Sequence, residues 1–259
     1  MTGNYNRSRA VLRVESLYRI FFKGFICDKS RCIDLNEFPK SGGSWLGEML
    51  ADAAEIDFPR NRFPDSRAML FHGHSLRNND IIRKVVLWRD PRDVMISWYH
   101  HCVIGNSHVN PRVVSQVRAQ LKFADPLNVA ENLSAFIEWS FLSPMSPRFS
   151  WSRFFDVWFS RADVVNVRYE DFRLNPIESL SFLLDKLSID CDIGQIERIV
   201  DAHSFERVSG RSPGVEDKAS FVRKGAIGDW MNYFDDESME VLRNLVGGRA
   251  ELLGYDLSK

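Results

Sequence analysis

A short apolar run, Ile33-Asp34-Leu35-Asn36-Glu37-Phe38, leads into Pro39-Lys40-Ser41-Gly42-Gly43-Ser44-Trp45, and an amphipathic stretch begins at Trp45. A strand, a glycine turn carrying a lysine, and a helix N-terminus in that order build an anion site. Backbone N–H groups and the positive end of the helix converge on one point, and the glycines let the chain approach it. The lysine is on the unusual side. In the nucleotide triphosphate loop G-x-x-x-x-G-K-[ST] it follows the glycines. Here Lys40 precedes Gly42 and Gly43 and a tryptophan follows, which points to a different nucleotide.

The rest of the chain alternates in the same way. Hydrophobic spacing predicts strands at 32–38, 68–72, 84–89 and 163–168, and helices at 45–54, 91–102, 128–142, 147–160, 175–187, 192–202 and 235–246. Short apolar strands separated by helices imply an α/β fold with a parallel sheet covered on both faces. Ligands in such sheets sit beyond the carboxyl ends of the strands. A chain of 259 residues is expected to form a single domain, 1–259. Residues 1–30 read as an N-terminal helix and extension, with apolar side chains at helical spacing over 7–25 and arginines between them. Packing on the core, attachment to a membrane surface and organelle targeting are the readings open for it. Residues 104–127 and 206–228 read as irregular, the second as a lid loop.

Charge and cysteine content exclude several classes. The 34 Lys+Arg balance 35 Asp+Glu, so there is no basic excess of the kind nucleic-acid binders carry. No apolar run reaches the about 18–20 residues that cross a bilayer, and residues 1–10 do not read as a secretory leader. The expected location is cytoplasmic. Cys27, Cys32, Cys102 and Cys191 contain no C-x-x-C pair and are too few for a disulfide scaffold, so free thiols are expected.

Two further segments carry cations beside turn or cap signals. Val85-Val86-Leu87-Trp88 reads as a buried strand; Asp90 suits an N-cap and Pro91 the first helical position. Arg89 then lies at a strand end beside a helix N-terminus, with Ser97 farther along the helix. An arginine fork and a hydroxyl suit a phosphate monoester. A surface ion-pair cluster of Arg89, Asp90, Arg92 and Asp93 is the other reading. The last segment is Phe221-Val222-Arg223-Lys224-Gly225-Ala226-Ile227-Gly228-Asp229-Trp230.

Together the three segments resemble the sulfotransferase family that uses 3′-phosphoadenosine 5′-phosphosulfate (PAPS) and releases adenosine 3′,5′-bisphosphate (PAP). The family's loop P-K-S-G-T-T-W corresponds to Pro39–Trp45. Its arginine, N/D-P-R/K-D-V and serine correspond to Arg89, Asp90–Val94 and Ser97. Its R-K-G-x-x-G-D-W corresponds to Arg223–Trp230. The resemblance implies a sulfotransferase fold related to P-loop kinases. It places Lys40 at the bridging oxygen and sulfuryl group, with Ser41, Gly42, Gly43 and Ser44 around the 5′-phosphosulfate. Gly43 stands where the family has a second hydroxyl. Trp45, Tyr169 and Phe205 are implied at the adenine, although a tryptophan at position 45 would equally suit a core. Arg89, Ser97, Arg223, Lys224 and Gly225 are implied at the 3′-phosphate.

The family's base, a histidine in K-T-H, aligns with His74. His72 stands where the lysine would be, either stabilising sulfuryl oxygens or only hydrogen-bonding. The implied reaction is in-line sulfuryl transfer to a hydroxyl or amine of a small-molecule acceptor. No metal is expected, because no third ligand accompanies His72 and His74. A P-loop phosphotransferase and a non-catalytic PAP-binding protein are the alternatives. The acceptor pocket is expected from residues 1–30, 104–127 and 140–155, with Phe141, Phe149, Trp151, Phe154 and Phe155 as candidate lining.

Overall fold

The computed structural model describes residues 14, 17–19, 21–60, 63, 67–77, 82–106, 109–145, 147–212, 214–217 and 224–258. Four strands, β1 (Ile33–Glu37), β2 (Leu70–Gly73), β3 (Arg83–Trp88) and β4 (Val164–Arg168), form one sheet in the order β2-β1-β3-β4. Every neighbouring pair is parallel. The fold is thus the expected α/β class, a central parallel sheet flanked by helices. β2 is added on one side of β1, and β3 and β4 on the other. In open parallel sheets the ligand crevice opens where the order reverses, at the carboxyl ends.

The strands read as unbroken apolar runs because both faces are covered. Successive side chains of β3 point to opposite faces. Val85 and Leu87 join Ile33, Leu35, Leu50, Leu180 and Leu183 on one face. Val86 and Trp88 join Val94, Tyr99, Phe136, Phe154 and Leu242 on the other. Helix α1 (Gly43–Ala53) and helices α7 (Pro176–Lys186) and α8 (Ile193–Ala202) cover the first face. Helices α2 (Pro91–Tyr99), α4 (Val129–Leu142), α5 (Trp151–Trp158) and α10 (Asp236–Val246) cover the second.

Two segments differ from the reading of the sequence. Residues Pro111–Leu121, inside the stretch read as irregular, form helix α3; Asn110 caps it by accepting from the Arg112 amide at 2.9 Å and Pro111 takes the first turn. The surrounding Gly, Asn and Ser residues mask a start signal that is itself clear. The helix expected to run to residue 102 closes at Tyr99 and gives way to a π-helical turn, His100–Ile104. Arg118 holds that turn by donating to the carbonyls of Val103 (2.7 Å) and Ile104 (3.2 Å). Three short helices, α6 (Tyr169–Leu174), α9 (Phe205–Ser209) and α11 (Arg249–Leu252), fall below the length at which periodicity is readable.

The aromatics expected to line an acceptor pocket belong to the core instead. Trp151, Phe154, Phe155 and Trp158 form one stripe of α5, and the first three surround Trp88 at 5.3–6.1 Å between ring centroids. Phe141 is buried with them and Phe149 packs against the same cluster. At the N-terminal end, Phe22 packs on Phe71 and Lys23 pairs with Asp34 at 2.6 Å. Val14, Leu17, Phe21 and Phe25 are exposed. One face of this segment therefore packs on the core and the other is open; Arg7, Arg9 and Arg13 lie outside the described residues. The four cysteines are unbonded thiols. Among the described residues no helix is long and apolar enough to cross a membrane.

Trp88 is one of three buried tryptophans between the sheet and α5, 1% exposed. Its replacement, Trp88→Ala, is expected to cost about 3–5 kcal/mol by lost burial and cavity formation, measured as a lower urea midpoint with an unchanged m-value.

Candidate active site

The carboxyl ends of all four strands open into one cleft of about 550 Å³. β1 delivers the loop 38–42, β2 delivers His72 with His74 just beyond it, β3 delivers Arg89 and β4 delivers Tyr169. The loop is bent by two residues in the left-handed region, Lys40 (φ 75) and Gly42 (φ 106). A Cβ at Gly42 would lie 2.6 Å from the Tyr169 ring, so only glycine lets that ring pack under the loop. Lys40, a non-glycine residue, is held in this conformation in part by Arg89, whose Nη1 donates to the Lys40 carbonyl at 3.0 Å.

Side chains of the loop divide between structure and cleft. Ser41 is buried, and its hydroxyl donates to the Phe38 carbonyl at 2.8 Å, closing the turn rather than facing the cleft. Ser44 lines the cleft and accepts from Arg60 Nη2 at 3.0 Å. Gly43 lines it too, but its amide donates to the Glu37 carboxylate. Trp45 donates from Nε1 to the His203 carbonyl at 2.7 Å, which fixes its indole edge-on to Tyr169. The His203 ring itself pairs with Asp52 at 2.6 Å.

The cation-rich end gathers the second and third motifs. Arg89 lies over the Tyr169 ring at 4.6 Å and approaches Asp93 at 3.8 Å. Ser97, Lys224 and Gly225 line the same cleft, and Lys224 is bound to Asp229. Gly225 (φ 61) receives the Phe205 ring, which a Cβ would meet at 2.1 Å. Arg223 lies outside the described residues, as does part of the segment read as a lid. The ion pairs predicted as a surface cluster exist but are buried. Arg92 binds Asp90 at 2.8 Å and stacks on Trp230 at 3.9 Å. Asp93 accepts from the amides of Gly228 (2.8 Å) and Trp230 (3.0 Å), and its burial raises its pKa. The D-P-R-D-V motif therefore fastens the late glycine motif to the sheet.

Between Trp45 and Phe205 stands Arg173, its guanidinium 5.6 Å and 5.8 Å from the two rings. Neither Arg173 nor Arg60 is evident from motif spacing. For Arg173 a signal exists: on helix α6 it follows Tyr169 by four residues and so shares its face.

The opposite end holds the histidines. Glu37, at the end of β1, is buried, and its Oε1 accepts from His72 Nε2 at 3.0 Å. Burial alone would raise the Glu37 pKa. The His72 hydrogen bond, the charges of His72 and His74 and the Gly43 amide outweigh it and hold the carboxyl below its usual range. His74 Nδ1 lies 3.1 Å from the Glu37 carbonyl. A carbonyl only accepts, so the ring carries its hydrogen on Nδ1 and leaves the Nε2 lone pair available. The ring opens into the cleft, yet the crowded walls lower its pKa against the pull of Glu37, with His72 and Lys40 adding to the effect.

His101 shares this wall, stacked on Trp98 at 5.4 Å. Burial, with Lys40 and His74 nearby, pushes its pKa down to about 3. His100 faces Tyr233 instead, so the two neighbours diverge as expected for adjacent helical positions. The sequence offered no third partner for His72 and His74; the fold supplies one. Among the described residues, Glu37, His72 and His74 are the group whose ligand atoms lie within 4.8 Å of one another. A metal held through His72 Nε2 would displace its hydrogen bond to Glu37, whereas His74 Nε2 is available without breaking its own.

The sheet order, the phosphate-type loop and the motifs gathered around it define an α/β protein with one cleft at the carboxyl ends of a parallel sheet. The chain belongs to the sulfotransferase family: residues 72–254 match the sulfotransferase domain. Sulfotransferase 6B1 of Danio rerio is 25% identical over 187 residues, covering 67% of this chain and 55% of that protein. Flavonol 4′-sulfotransferase of Flaveria chlorifolia is 27% identical over 195 residues, 68% of this chain and 55% of that protein. The chain spans about half the length of these two, whereas the match to sulfotransferase 1E1 of Rattus norvegicus, 21% identical, covers 78% of each. The fold resembles mouse sulfotransferase SULT7A1, solved in complex with PAP, with a TM-score of 0.63 at 18% identity over 87% of this chain and 86% of that one. It also resembles retinol dehydratase, solved with retinol and PAP, with a TM-score of 0.58 at 16% identity over 94% and 86%.

Removing the carboxylate that fastens the late motif, in Asp93→Ala, is expected to leave two amides without their acceptor. The cost is about 1–3 kcal/mol. The check is amide hydrogen exchange, faster at Gly228 and Trp230 than in the native chain.

Proposed function

We propose that the chain transfers the sulfuryl group of PAPS to a hydroxyl or amine of a small acceptor. The observation that carries this reading is His74: its Nδ1–H is committed to a carbonyl, which leaves the Nε2 lone pair available, and it lines the same cleft as Lys40. In the proposed reaction the acceptor oxygen or nitrogen attacks sulfur while the bond from sulfur to the bridging phosphate oxygen breaks. The acceptor's proton passes to His74 Nε2. Negative charge builds on the departing phosphate, and Lys40 stabilises it there. PAP leaves. Arg89, Ser97, Lys224, Arg223 and Gly225 hold the 3′-phosphate in this reading. Trp45, Tyr169 and Phe205 hold the adenine, with Arg173 beside the rings. Positioning of donor and acceptor supplies most of the remaining rate.

The acceptor end favours uncharged, flat molecules. Its wall is Trp98 with His101 stacked on it, and His101 is neutral chiefly because it is buried, with Lys40 nearby adding to the effect. Asn106 Nδ2 lies 3.3 Å from His101 Nδ1, so the amide donates to it and Nε2–H remains to bind an acceptor's oxygen.

Lys40→Ala is expected to lower kcat about 10²–10³-fold, and His74→Ala about 10²–10⁴-fold, with both variants keeping the native circular dichroism. Transfer at the native rate in His74→Ala would remove His74 as the base. Thermal shift should favour PAP over ATP; the reverse order would favour a phosphotransferase.

The pH dependence has a definite sign. The base acts in its neutral form, and His74 has a lowered pKa, so the neutral form persists below the ordinary imidazole range. The acidic limb of kcat/KM, which reports the free enzyme, is therefore expected below about pH 6.5. An acidic limb above that value would contradict the assignment.

A further inference from the structure

Glu37 connects two of the places where this chain departs from the sulfotransferase pattern. The family pattern has threonine at position 43 and lysine at position 72; this chain has glycine and histidine. Both residues bind the same carboxylate. Oε2 accepts from the Gly43 amide and Oε1 accepts from His72 Nε2 at 3.0 Å. The Glu37 backbone carbonyl, in turn, fixes His74 at 3.1 Å.

Gly43 is not required by backbone conformation, because it is absent from the residues with positive φ. It is required by space. A Cβ there would lie 2.6 Å from Glu37 Cδ, 2.7 Å from His72 Nε2 and 2.8 Å from Glu37 Oε2. A threonine would need the same volume and more. Glu37 is 3% exposed, and a buried carboxylate persists only with its charge compensated. The Gly43 amide and the His72 ring provide that compensation.

We propose that Glu37 is a positioning residue of the sulfuryl end of the cleft, and that Glu37, Gly43 and His72 form one interdependent unit replacing the threonine and lysine of the family pattern. Glycine at 43 makes room for the carboxylate. The carboxylate then takes the Gly43 amide and orients the His72 ring in the cleft wall. Its own carbonyl sets the tautomer of His74. The three residues must therefore change together. The inference rests on the proposed use of PAPS for its ligand, but not for the coupling among the three positions.

The test is a mutant cycle on the full chain, with PAP and PAPS affinities measured by isothermal titration and melting temperatures recorded for every variant. Gly43→Thr alone is expected to weaken PAPS binding at least tenfold and to lower the melting temperature. In a Glu37→Ala, His72→Lys background the same Gly43→Thr substitution is expected to be neutral or favourable on both measures. Additive effects across the cycle would overturn the proposal, since independent sites add. Glu37→Gln keeps an acceptor oxygen and Glu37→Leu keeps only volume. PAPS affinity is expected to stay within threefold in the first and fall at least tenfold in the second, with PAP affinity little changed in either. Equal losses for PAP and PAPS would mean that Glu37 merely supports the loop, and would also overturn it. If the native chain bound neither nucleotide, the proposed activity would fail, while the coupling would still be decided by the melting temperatures.

Discussion

The Arg89 guanidinium turns three separate strand ends into one surface. It extends from the end of β3, donates to the Lys40 carbonyl of the β1 loop, and lies over the Tyr169 ring at the end of β4. Each contact answers a local need. Lys40 sits at φ 75, where a side-chain-bearing residue is strained, and the arginine helps to hold its peptide. Tyr169 packs so closely under the loop that position 42 must be glycine. A guanidinium is planar and always charged, so it stacks and donates at once; an ammonium would do only the second. Loss of this arginine would therefore disturb the β1 loop, the Tyr169 ring and the end of β3 together.

Buried carboxylates organise the edge around that arginine. Glu37 takes the Gly43 amide, Asp93 takes the amides of Gly228 and Trp230, and Glu170 takes the Asp90 amide at 3.0 Å and the Tyr255 hydroxyl at 2.7 Å. All three suffer desolvation. Burial wins at Asp93 and Glu170, whose pKa values are raised. At Glu37 it loses, because two imidazoles lie against the carboxylate. Glu37 is therefore held ionised at the histidine end of the cleft, whereas Asp93 and Glu170 sit where loops are tied to the sheet.

The strands and long helices were legible because their periodicity extends over enough residues: β3 alternates between two apolar faces, and Asp90-Pro91 announces its helix. Short elements were not. Helix α6 has six residues, too few for a period, yet it aligns Tyr169 with Arg173. Helix α3 was obscured by turn-forming neighbours. The aromatics at 141–155 were read as a pocket because sequence cannot distinguish an apolar wall facing solvent from one facing a tryptophan in the sheet. Ser41 shows the same limit at atomic scale. A hydroxyl in a phosphate loop can point either way, and here it closes the turn. Glu37 was invisible for another reason: its partners are six and thirty-five residues away, and parallel pairing of β1 with β2 is what brings His72 beside it.

The charge balance of the whole chain also concealed the site. A net charge of −1 argues against a polyanion as ligand if charge is spread evenly. It is not: Lys40, Arg60, Arg89, Arg173 and Lys224 all line one cleft. A cleft with low-dielectric walls focuses the field of such a group far beyond what net charge implies. The same concentration of cations has a chemical consequence at the other end. Lys40 disfavours protonation of His74 and His101. Burial is the larger cause at both rings, and the cations of the cleft add to it, favouring the neutral form that a general base requires.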